Sequence, residues 1–138
     1  MNRHLYLRAY LAGIAVPTVL LLAGMTAYTI IRYVYAFPIP IERVIVFPMA
    51  AVPNAWGLWN VLYHAFDLRR RVPLGVFGAV LPLLLIPGGY AVARLTGFTL
   101  PEVVFVIVPF FVLPVGIIAY YLLWKYFVGF LNAELGIA

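Results

Sequence analysis

Trp56, Asn60 and His64 recur every four positions, so they share one face of a helix. Tyr63 and Asp67 extend that face, and Asn54 follows Pro53 near the middle of the same apolar stretch. An amide and an imidazole among hydrocarbon side chains suit two kinds of chemistry. They can line a polar groove for a headgroup, a metabolite or a partner helix. They can also hydrogen-bond across helices and fix packing, at roughly 0.6–2 kcal/mol per bond, which is the commoner use. Asn54, Trp56, Asn60 and His64 are the candidate groove.

Pro87, Gly88 and Gly89 form a second candidate. A mid-helix proline frees a carbonyl one turn earlier, and a helix broken there would offer backbone dipoles to a substrate, as discontinuous transporter helices do. A simple kink is the plainer outcome. The third group is basic. Arg69, Arg70 and Arg71 form one run, and Arg32 and Arg94 sit at apolar-stretch ends. All five suit anionic headgroups, although topology and snorkelling are the ordinary roles of such positions.

Other chemistry is excluded by what is missing. The chain has no Cys, Ser or Gln, so disulfides, thiolate metal sites and Cys or Ser nucleophiles are impossible. Glu42, Asp67, Glu102 and Glu134 all fall in connectors or the C-terminal tail, which argues against ion coupling through a mid-membrane carboxylate. His4 and His64 fall near helix ends on one side and offer no axial pair for haem. Three arginines at a membrane surface make no extended basic face for nucleic acid. The expectation is no catalytic site, no cofactor and no metal.

The elements that must position these residues follow from composition. Of 138 residues, 67% are hydrophobic and only 9% charged, against about 25% charged in a soluble domain. Four apolar stretches, about 10–31, 44–66, 74–95 and 103–127, are each long enough for a hydrocarbon core of roughly 30 Å. They predict a single all-α integral membrane domain over 1–138, a four-helix transmembrane bundle. The first stretch is too long for a signal peptide and no cleavage site follows, so it reads as a retained helix.

Charge sets the orientation. With the N-terminus inside, Arg3, Arg8, Arg69, Arg70, Arg71 and Lys125 lie inside, against Arg32, Arg43 and Arg94 outside. The bias places both termini in the cytoplasm of a cytoplasmic membrane. Tyr33, Tyr35 and Phe37 then mark the outer interface, and Tyr63, Phe66, Trp124, Tyr126 and Phe127 the inner one. Small residues at i, i+4, Ala23 with Ala27 and Gly75 with Ala79, predict close helix approach.

An offset of 61 aligns Phe37 with Phe98, Pro40 with Pro101, Pro48 with Pro109 and Pro53 with Pro114. One residue of slack adds Gly13 with Gly75 and Arg32 with Arg94. Two readings stand: self-alignment of proline-rich apolar sequence, or two tandem hairpins about a pseudo-twofold axis along the membrane normal. In function the expectation is a small accessory or structural subunit, binding lipid or a partner protein in a homo-oligomer or larger membrane complex. The alternative is a minimal uncoupled transporter or channel built from duplicated hairpins and completed by dimerisation.

Overall fold

The computed structural model describes residues 4–36, 41–95, 97 and 102–138, with 41–50 as backbone alone. Arg3 of the charge count and Phe37, Pro40, Phe98 and Pro101 of the self-alignment lie outside the described residues. Every regular element among the described residues is helical. Helix α1 is Leu5–Tyr35 and α2 is Ile41–Ala65. A 3-10 turn, Leu68–Arg70, leads into α3, Leu74–Leu95, and α4 is Glu102–Glu134. Three of these helices, α1, α3 and α4, are long and apolar enough to cross a membrane.

Helix α4 runs seven residues beyond the predicted end at 127, so Glu134 belongs to the helix rather than to a tail. Nothing in Tyr126–Leu135 stops a helix until Gly136, which takes the left-handed conformation at φ 66°. There Gly136 N–H donates to Ala133 O and Ile137 N–H to Asn132 O, the paired bonds of a Schellman ending. Ile137 folds back and is buried, which supplies the apolar contact of that motif.

The predicted break at Pro87–Gly88–Gly89 is not where α3 is interrupted. Leu81–Leu95 is one continuous helix through all three residues, and the discontinuity lies at Val80. Pro82 explains it: its ring cannot donate to the Gly78 carbonyl and crowds it. The Phe77 carbonyl next door accepts from the Trp59 indole N–H at 2.9 Å and from Val80 N–H at 3.4 Å.

Helix α1 packs chiefly along α2, and α3 along α4. The two hairpins meet through Val16, Trp56, Leu81, Trp124 and Val128, contributed by all four helices. The core occupies the half of the bundle nearest both ends of the described chain. No described residue of α1 beyond Pro17, of α3 beyond Pro82 or of α4 before Trp124 is fully buried. Ala23 and Ala27 are exposed, and the close approach of α1 falls at Gly13, against Trp56 and Gly57 of α2. Tyr63 and Trp124 are core residues, whereas Phe66, Tyr126 and Phe127 are exposed. On the exposed α1, Thr18, Thr26 and Thr29 each return their hydroxyl to the carbonyl four residues back. That satisfies a polar group without a partner helix.

Candidate functional site

Helical spacing in α2 brings Trp56, Gly57, Asn60 and Tyr63 into the core, with His64 half-buried beside them. Asn60 is 0% exposed and uses both amide protons, one to Ala9 O of α1 and one to Asn132 Oδ1 of α4, each at 2.8 Å. Asn132 Nδ2 returns a bond to Asn60 Oδ1 at 3.2 Å. The two amides form a closed reciprocal pair that ties three helices together. Asn54 is exposed and accepts a hydrogen bond from the Tyr10 hydroxyl of α1.

Asn132 has no counterpart in the sequence reading, and helix geometry explains the omission. Eight residues of ordinary α-helix would turn it about 80° away from Trp124. The segment Leu123–Val128 is π-helical, with Gly129 N–H donating to Trp124 O. That wider turn reverses the drift, so Trp124, Val128 and Asn132 all face the core. A second π segment, Val108–Val112, precedes Pro114 and gives its ring room.

Aromatic rings fill the space above the amides. Trp56 packs on Tyr120 at 4.8 Å and on Trp124 at 5.3 Å between ring centroids. Trp59 stacks on Phe77 at 4.7 Å, and Tyr63 donates its hydroxyl to Val72 O at 2.9 Å. Trp124 sits directly on Gly78, where any Cβ would collide with its Cβ and ring.

At the terminal end lies a cleft of about 190 Å³ lined by Leu5, His64, Arg69, Gly136, Ile137 and Ala138. His64 Nε2 is buried there with no hydrogen-bond partner among the described residues. Asp67, in the left-handed region at φ 48°, pairs with Arg69 at 3.0 Å and Arg70 at 3.2 Å. Arg69 also donates to Ala138 O at 3.4 Å, so the run anchors the C-terminal turn. Arg71 is exposed.

Arg32 and Arg94 lie at the distal ends of α1 and α3, far from this cleft. Arg32 is half-buried with its guanidinium 6.0 Å from the Tyr33 ring centroid, and Arg94 is exposed. Pro87, Gly88 and Gly89 lie outside the amide cluster, and Tyr90 beyond them stacks on Phe105 at 5.5 Å. Among the described residues no three His, Asp or Glu side chains converge on a common point. The sequence candidates therefore divide into a core pair, Trp56 and Asn60, a terminal group, His64 with Arg69–Arg71, and separate distal positions. No family model matches the chain, and no curated protein or solved structure is similar to it.

Proposed function

We propose that this is a small non-catalytic membrane protein acting as an accessory or structural subunit, bound to a partner protein or to lipid. The observation that carries the reading is the contrast between its two halves. The polar face of α2 is filled by Asn132, Ala9 and aromatic rings, while large apolar side chains such as Phe110, at 72%, are exposed on α4. A path for solute along the bundle axis would have to displace Trp56 and Trp124, both essentially fully buried. Apolar surface of that extent on membrane helices meets lipid or another helix.

The reading includes α2 as a fourth span, with both termini cytoplasmic. Charge-free runs 9–31, 44–66, 72–93 and 103–124 hold 22 or 23 residues each, about 33 Å of helix against a core of about 30 Å. Arg8 reaches Leu135 O and Arg69 reaches Ala138 O, which supports termini on one side. Tandem hairpins are supported by Gly13 and Gly75, aligned positions that each sit at the close contact of their own hairpin. Gly75 meets Tyr121 and Lys125 rather than the residues aligned with Trp56 and Gly57, a shift of about one turn.

Two measurements test this. Single cysteines at Arg70 and Leu95 are expected to react with an impermeant thiol reagent from opposite sides of the membrane. Reaction of both from one side rejects the topology. A photo-crosslinking amino acid at Phe110 or Phe111 is expected to yield a protein adduct in native membranes, with sealed proteoliposomes remaining impermeable to small solutes. Solute flux that Asn60→Leu abolishes without unfolding the protein would reverse the assignment in favour of transport.

A further inference from the structure

The α1–α4 seam is closed at the terminal end of the bundle and open just inside it. Ala15, Val19 and Leu20 of α1 and Phe127, Phe130 and Leu131 of α4 line a groove of about 340 Å³, with apolar residues throughout its wall. Ala15 is the smallest residue of its lining, and Phe127 and Phe130 are exposed beside it on α4. A volume of about 340 Å³ corresponds to only a few ångströms of a transmembrane helix about 10 Å across, whereas it holds much of a single hydrocarbon chain.

The closed end is cationic. Arg8 lies seven residues before Ala15 and so shares its face of α1, two turns nearer the terminal end. Leu135 lies four residues after Leu131, one turn further in the same direction on α4. The Arg8 guanidinium bridges the two helices there by donating to Leu135 O at 3.3 Å. Among the described residues Arg8 forms no ion pair, Asp67 is engaged by Arg69 and Arg70, and Glu134 has no cationic partner. From Arg8 to Leu20 the helix rises about 18 Å, close to one leaflet of a 30 Å core.

The geometry points to a phospholipid site: one acyl chain lies in the α1–α4 groove and the headgroup phosphate sits on Arg8. This rests on the membrane reading above and specifies the lipid it binds. The groove suits a chain by its volume and apolar lining, and the guanidinium selects a phosphate by charge and by its free donors. Arg69, Arg70 and Arg71 add positive potential at the same end of the bundle.

The test uses the full chain in phosphatidylcholine nanodiscs doped with a phosphatidylglycerol that carries a mid-chain diazirine. Adducts mapped by mass spectrometry are expected to concentrate several-fold on Val19, Leu20 and Phe127 over the exposed Phe110 and Phe111. Arg8→Gln keeps a donor for Leu135 O but removes the charge, and should bring groove labelling down to the Phe110–Phe111 level. Ala15→Trp should do the same with Arg8 intact, and a diazirine diacylglycerol should show no groove preference in the parent chain. Even labelling of groove and α4 face, or an Arg8→Gln variant that labels like the parent, overturns the site and leaves the membrane reading standing. So does a chain-to-chain crosslink in the groove with lipid excluded, which would make the occupant a second copy. Absence of lipid adducts everywhere would sink both.

Discussion

Replacing Asn60 with alanine is expected to lower the unfolding free energy by about 2–3 kcal/mol, the largest effect of any polar substitution among the described residues. The change removes two donated bonds and one accepted bond, and leaves the Asn132 amide facing apolar neighbours. Asn132→Ala should cost less, about 1–2 kcal/mol, because Asn60 keeps its bond to Ala9 O. The double variant should fall short of the sum by about 1 kcal/mol, since removing both amides leaves no orphan between them. Unfolding by denaturing detergent, followed through the buried tryptophans, measures all three. Strict additivity would mean that the amides do not act as a pair.

The effect is large because Asn60 and Asn132 are the two buried polar side chains among the described residues and each is satisfied by the other. Between membrane helices the hydrophobic effect supplies no drive, since lipid is as apolar as leucine, so close packing and interhelical hydrogen bonds must do so. Both are concentrated in the terminal half. There Asn60 and Asn132 link α1, α2 and α4, Trp59 and Tyr63 bond to carbonyls of Phe77 and Val72, and Trp124 rests on Gly78. Toward the distal end the helices present Val103, Phe105, Phe110 and Phe111 to the surroundings. A bundle anchored at one end leaves its other half available as contact surface, which is what an accessory role requires.

The all-helical architecture and its apolar lengths are visible in the sequence because spacing between charged residues tracks bilayer thickness. The four-residue spacing of Trp56 and Asn60 is visible too, and both side chains lie in the core. Asn132 is not visible, because it is 72 residues from its partner and reaches the core only through a π turn that composition does not announce. The choice between Pro82 and Pro87 as the break in α3 is equally hidden. Both prolines remove a backbone donor, yet only the turn before Pro82 is interrupted, and the helix runs unbroken through Pro87. Small-residue spacing favoured Ala23 and Ala27, yet exposed alanines on a lipid-facing surface carry the same local pattern as buried ones. The glycine that brings α1 against α2 is Gly13, with the buried Ala9 one turn before it and Gly57 opposite.

That glycine gives the second large expected effect. An added Cβ at Gly13 would lie 2.5 Å from Trp56 O and 2.8 Å from Gly57 Cα. Both are backbone atoms, so no rotamer change relieves the clash and α1 must move away from α2. Gly13→Ala should therefore destabilise by about 2–3 kcal/mol, at the upper end of overpacking costs, despite a gain of about 1 kcal/mol in helix propensity. Gly24, eleven residues on and on nearly the same face, has no atom within 4 Å of an added Cβ. Gly24→Ala should be neutral or stabilising, so identical chemistry in one helix gives opposite signs. Gly78→Ala should cost at least as much, because an added Cβ there would overlap Cβ and Cγ of Trp124, and no rotamer change carries that Cβ away. Equal effects of Gly13→Ala and Gly24→Ala in detergent unfolding would show that α1 and α2 do not touch at Gly13. The hairpin contact and the packing of the terminal half would then have to be redrawn.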